Sequence, residues 1–96
     1  MLEKMLEARP DDPFVRYALA MEYRKLGRIE DALAGFRDLT ERSPDYVPTY
    51  LMYGQTLLAA GRADEARAVF ERGRKVAEAA GDDHAARELA EAIEGS

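Results

Sequence analysis

The chain carries one histidine, His84, with Asp82 and Asp83 just before it and Glu88 four residues after it. On a helix, His84 and Glu88 would form an i, i+4 pair on one face. Such a pair could pass a proton or supply two metal ligands, but a zinc site needs three or four. There is no cysteine to complete one. His84 therefore reads as a surface histidine in the first turn of a helix. Paired carboxylates recur at Glu30-Asp31, Asp64-Glu65 and Asp82-Asp83. Acid–base catalysis and cation binding both use such pairs. Here each pair stands where a helix is expected to start, so capping and the helix dipole account for all three. The serines are Ser43 and Ser96, one in a turn and one in the tail, and neither offers a setting for a nucleophile. No glycine-rich phosphate loop follows a strand. Arg67, Arg72, Arg74 and Lys75, preceded by Arg62, make the one basic stretch. It could meet an acidic partner, but pairing with Glu71, Glu78 and neighbouring carboxylates explains it better. The expectation is no catalytic residue, no metal and no cofactor.

Composition narrows the classes further. In 96 residues, 14 Lys and Arg face 19 Asp and Glu, for a net charge of −5. That balance argues against a nucleic-acid partner, which calls for a basic face. No run approaches the roughly 20 apolar residues of a membrane span. The opening Met1-Leu2-Glu3-Lys4 lacks the apolar stretch of a signal peptide. A cytoplasmic location with no membrane partner is expected. At 47% hydrophobic, the chain can build one core.

The elements that would position these residues follow from an internal repeat. Shifted by 34 residues, Pro10-Asp11 matches Pro44-Asp45, and Gly27-Arg28 matches Gly61-Arg62. Ala32, Ala34 and Phe36 match Ala66, Ala68 and Phe70. In the first unit Asp11 or Asp12 caps a helix and Pro13 suits its first turn. Phe14, Tyr17, Ala18 and Met21 form one apolar stripe; Val15, Leu19, Ala20, Tyr23 and Leu26 form another. Gly27 ends that helix. A second runs from Arg28-Ile29, with Ile29, Ala32, Leu33, Phe36 and Leu39 inward, to Ser43-Pro44. In the second unit Asp45 caps a helix over Tyr46 to Ala60, Gly61 breaks it, and a longer helix continues to about Ala80. After Gly81, Asp82 or Asp83 caps a last helix to about Glu94. Its apolar stripe is Ala85, Ala86, Leu89, Ala90 and Ile93, with Arg87, Glu88, Glu91 and Glu94 opposite. At the other end, residues 2–9 suit a short helix with Leu2, Met5 and Leu6 inward.

Several of these residues form a family pattern. Leu19-Ala20 with Tyr23 and Tyr53-Gly54 with Leu57 lie in the first helices. Leu26-Gly27-Arg28 and Ala60-Gly61-Arg62 form the turns. Asp31-Ala32-Leu33 with Phe36 and Glu65-Ala66-Arg67 with Phe70 lie in the second helices, and Pro44 closes the first unit. In these residues and in its period the chain resembles the tetratricopeptide repeat family. It departs from the pattern at Arg16, where the family often has Trp (Tyr50 is aromatic there), at Gly73, and at Glu78 in place of a second closing proline. The last change should let the second helix of unit two run on to Gly81.

The resemblance implies an all-α fold, a short right-handed solenoid of antiparallel helix hairpins with about six helices. One domain over 1–96 would comprise a partial helix at 2–9, repeats at 11–44 and 45–81, and a capping helix at 82–94. The implied function is a protein–protein interaction module or adaptor with a protein or peptide partner. The first helix of each repeat would line a concave groove. Phe14, Tyr17, Ala18, Met21, Arg24 and Lys25 would come from unit one, and Leu51, Met52, Gln55, Leu58 and Ala59 from unit two. The groove lacks the Asn and Lys array with which some relatives clamp a terminal carboxylate. Its apolar character suits a helical or extended apolar segment. The alternative is a self-associating homodimer that buries the groove or pairs the terminal helices.

Overall fold

The computed structural model describes residues 4, 5, 8, 9 and 11–96, and these contain five α-helices and no strand. Helix α1 spans Pro13–Lys25, α2 Ile29–Arg42, α3 Pro48–Ala59, α4 Ala63–Ala79 and α5 Asp83–Gly95. The helix expected over residues 2–9 falls largely outside the described residues, as does Pro10; Met5 is described and is exposed.

Local chemistry sets most of the boundaries. Asp12 caps α1, its Oδ1 accepting from the Phe14 amide at 2.9 Å, and Pro13 takes the first helical position. Asp82 caps α5 in the same way, accepting from the Ala85 amide at 3.1 Å. Helices α1, α3 and α4 all stop with one device. Gly27, Gly61 and Gly81 adopt φ values of 78°, 77° and 72°, which a side chain would strain. The amide after each glycine then reaches back to a carbonyl five residues earlier. Arg28 bonds to Tyr23, Arg62 to Leu57 and Asp82 to Ala77, each at 2.9 Å. Ser43, before Pro44, closes α2 through its amide to the Leu39 carbonyl at 2.8 Å. Helix α4 has 17 residues against 14 in α2, as the missing proline at Glu78 leads one to expect.

One boundary differs from the sequence reading. Asp45 does not cap α3, which begins at Pro48 rather than Tyr46. Proline has no amide to leave unpaired and its φ is fixed near the helical value, so it claims the first helical position. Tyr46 and Val47 make a preceding turn whose carbonyls accept from the amides of Thr49 and Tyr50 at 3.3 and 3.2 Å.

Consecutive helices pack as hairpins, α1 on α2, α3 on α4 and α4 on α5. The odd-numbered helices also touch in sequence, α1 to α3 and α3 to α5, with sparser contact. The larger core joins Leu33, Tyr50, Leu57, Ala66, Phe70, Ala77 and Leu89, and so runs from α2 to α5. A smaller one joins Ala20, Ala32 and Phe36. Leu89 is fully buried, with Ala85, Ala86 and Ile93 packed around it, so α5 covers the end of the larger core.

The two repeats solve one packing problem in different ways. A Cβ added at Gly54 would overlap the Phe70 ring, and one at Gly73 would overlap the base of the Tyr50 side chain. The glycines make room for two fully buried aromatic rings. At the matching positions of the first repeat stand Ala20, Leu39 and Arg16. There Leu39 supplies the bulk, and Arg16 reaches out to Asp38 at 2.7 Å. Tyr50 and Gly73 thus exchange large for small relative to Arg16 and Leu39, and each combination fills its space.

Candidate functional site

Where α1, α3 and α5 approach one another, their side chains leave a groove of about 270 Å³. Tyr17 of α1 forms one wall. Val47, Pro48, Leu51 and Met52, at the start of α3, form the floor. Asp82, His84, Ala85, Glu88 and Leu89, at the start of α5, form the other wall. The volume falls just below the ~300–1,000 Å³ of pockets for drug-sized ligands, a size for one or two large side chains.

The walls are held in place by packing behind them. The Tyr17 ring meets Phe36 edge-on, with centroids 6.3 Å apart, and Tyr46 in the same manner at 5.9 Å. Burial pushes the Tyr17 hydroxyl above the ordinary tyrosine pKa; Tyr46 adds to this and Arg24 opposes it. Met52 packs against the smaller core, and Leu51 against the larger one. The Arg24 guanidinium lies 3.8 Å from the Met52 sulfur and forms a basic lip on the α1 side. On the α5 side, His84 Nε2 lies 3.0 Å from Glu88 Oε1. Asp82 Oδ1 is engaged by the Ala85 amide. Among the described residues no three His, Cys, Asp or Glu side chains are arranged to hold a metal ion. No described helix is long and apolar enough to cross a membrane.

Of the residues picked from the sequence for the concave face, the structure brings Tyr17, Leu51 and Met52 together in the groove. The others lie outside its lining. Met21 packs against the smaller core, and Arg24 touches the groove through Met52. Phe14, 61% exposed, and Lys25 face solvent. Gln55, half-buried, and Leu58, exposed, sit in later turns of α3. The sequence reading missed Val47, Pro48 and the whole α5 wall. The signal for that wall is present in His84 and Glu88, whose i, i+4 spacing marks one face, but the sequence does not say that this face turns toward α3.

The remaining charge clusters are spread along the helices. Arg74 Nε lies 3.9 Å from Glu78 Oε1. Arg72 sits over the Tyr50 ring, 5.6 Å from its centre, and reaches the Thr40 carbonyl at 3.4 Å. Arg67 reaches the Ser96 carbonyl at 3.3 Å. Arg62 pairs with Glu65 on its own helix and lies 3.8 Å from Glu30 in the other repeat, which links the two units. The Glu65 carboxyl is lowered by its hydrogen bond from Arg62, which is raised in turn.

Stacked helix hairpins with a groove along their first helices define a helical-repeat module of the solenoid class. The sequence pattern of the tetratricopeptide repeat family matches residues 23–93, and the chain belongs to that family, whose members are typically non-enzymatic scaffolds for protein–protein interaction. A TPR repeat-containing protein of Pseudomonas aeruginosa is 32% identical over 88 residues, covering 92% of this chain and 84% of that one. A tetratricopeptide repeat domain protein of Salinibacter ruber, solved by NMR, superposes with a TM-score of 0.84 at 40% identity, covering 88% of this chain and 85% of its own. The TPR2B domain of yeast Sti1, solved in complex with pHsp70, superposes with a TM-score of 0.89 over 96% of this chain and 74% of its own. At 20% identity that likeness is one of fold.

Proposed function

We propose that the protein docks a helical or extended apolar segment of a partner protein in the groove between α1, α3 and α5. The observation that carries this reading is the unfilled apolar space of about 270 Å³ beside Tyr17, Leu51 and Met52. A methionine on the floor suits partners of varied shape, because its side chain adapts. Helix-in-groove recognition needs such a row of apolar positions to receive anchors at helical spacing.

The test is an array of amphipathic and extended apolar peptides, screened against the wild-type chain and against Tyr17→Ala combined with Met52→Ala. Peptides that bind wild type should weaken at least about tenfold in the double variant, a loss of about 1.4 kcal/mol, with helicity unchanged. Binders that keep their affinity for the folded double variant would reject the groove. Self-association is the second reading, favoured by Phe14 and Leu26, which are 61% and 62% exposed. A mass that doubles with concentration in light scattering, and returns to that of one chain in Phe14→Ser, would support it.

A further inference from the structure

The groove is electrically lopsided. Helix α3, its floor, carries no Asp, Glu, Lys, Arg or His. Any charge the occupant meets must therefore come from the two walls. On the α1 side Arg24 borders the groove through Met52, while Glu22 and Lys25 of the same helix face solvent. The Arg24 guanidinium is anchored at the lip by its contact with the Met52 sulfur. The α5 side presents Asp82 and Glu88 directly in the lining, and the same helix adds Asp83, Glu91 and Glu94 against a single Arg87. A segment lying across the groove passes from a basic lip to an acidic wall. At physiological ionic strength charges act over about 8 Å, so only the groups at the groove itself select what binds.

We infer that the occupant is an apolar segment with a basic residue beside its anchor, oriented so that this cation meets Glu88 on α5. This rests on the docking function proposed above and adds the chemistry of the partner. The anchor fills the space between Tyr17, Leu51, Met52 and Ala85. Glu88 is the receiving carboxylate, because the Asp82 side chain is already engaged in capping α5. Glu88 Oε1 lies 3.0 Å from His84 Nε2. A carboxylate has further lone pairs, so a second donor can be taken on. His84 is then a competitor for the incoming cation, held in reserve on the same wall. An occupant with an acidic residue in that place would face Glu88 unpaired and be disfavoured, so the wall selects as well as attracts.

The experiment uses the full chain and two fluorescently labelled amphipathic peptides with the same leucine and phenylalanine anchors. One carries lysine beside the anchor and the other glutamate, and anisotropy reads their binding at about 0.05 M and about 0.5 M salt. The lysine peptide should bind roughly fivefold tighter at low salt, the size of an exposed ion pair, and lose most of that advantage at high salt. Glu88→Lys should reverse the order of the two peptides. His84→Ala should tighten the lysine peptide further, because it frees Glu88, and weaken the glutamate peptide, because it bares the same carboxylate. Both substitutions fall on exposed side chains, which leaves the fold intact. Equal binding of the two peptides, or tighter binding of the glutamate peptide, would overturn the charge selection. If both bind equally and both are lost in Met52→Glu, the groove still docks apolar segments and only the charge selection falls. If neither peptide binds, both readings fall.

Discussion

Helix α3 is apolar on opposite faces, and the two faces meet different fates. On one, Tyr50, Gly54 and Leu57 are buried against α4, with the Phe70 ring laid over Gly54 and Gly73 laid under Tyr50. On the other, Pro48, Leu51 and Met52 border a space of about 270 Å³. Both faces have the residue types of a core. The difference lies in the neighbour. Helix α4 follows α3 through a tight glycine turn and lies along it, whereas α1 and α5 touch α3 only sparsely. Close packing goes where the hairpin must hold, and the open apolar surface goes where non-adjacent helices line up.

Substitutions on the two faces should therefore separate stability from binding. The largest effect is expected from Phe70→Ala, which empties the closed face. A buried phenylalanine truncated to alanine costs about 3–5 kcal/mol, a large share of the ~5–15 kcal/mol of a typical domain. Urea unfolding should show it as a lowered midpoint. Peptide affinity of the molecules still folded should stay the same. If affinity falls in step with stability, the two faces are not independent. Next comes Gly73→Ala. Its methyl group would press on the base of Tyr50, where no flexible chain end can yield, and overpacking of this kind costs about 1–3 kcal/mol. The same change at Leu39, the matching position of the first repeat, would leave a cavity instead, so the two repeats should fail for opposite reasons.

A smaller effect is expected from Tyr50→Phe. It removes the hydroxyl that donates to the Pro44 carbonyl, for about 1 kcal/mol. It should also change the alkaline limb of the stability curve. Burial raises the Tyr50 pKa above its ordinary value, with Arg72 opposing and Asp45 adding to the rise. The fold thus favours the protonated phenol. That contribution is complete below the unfolded value of about pH 10 and disappears as pH rises through the higher folded value. Tyr50→Phe should lose less stability above about pH 10 than wild type does, as read by circular dichroism. The smallest stability effect is expected from Glu88→Gln on the open face, within about 0.5 kcal/mol, with its consequence confined to binding.

Much of this arrangement is legible in the amino-acid sequence. The 34-residue repeat and the glycines at 27, 61 and 81 mark where helices stop, because only a few residue types tolerate the turn they need. Asp12 and Asp82 are readable as caps. Asp45 misleads, because a proline three residues later competes for the helix start. The groove is partly legible. Helical periodicity gives the angle of Tyr17, Leu51 and Met52 around their axes, and all three line the groove. It does not give the height along the axis at which neighbouring helices converge. They converge at the first turns of α3 and α5, so Met21, Lys25, Gln55 and Leu58 fall beyond the lining. The α5 wall is hidden for a related reason. An amphipathic stripe tells which face goes inward, while the polar edge that borders it gives no sign of the helix across the gap. Arg16 has no visible partner in the sequence either, since Asp38 lies 22 residues away on another helix.

The most direct measurement follows the ε-methyl signal of Met52 by NMR as the lysine-bearing apolar peptide is added. Docking in the groove should shift the methyl groups of Met52, Leu51 and Ala85 and leave those of Leu57 and Ala77, buried on the closed face, where they are. Saturating binding with no change at Met52, or with changes confined to the surface around Phe14 and Leu26, would contradict it.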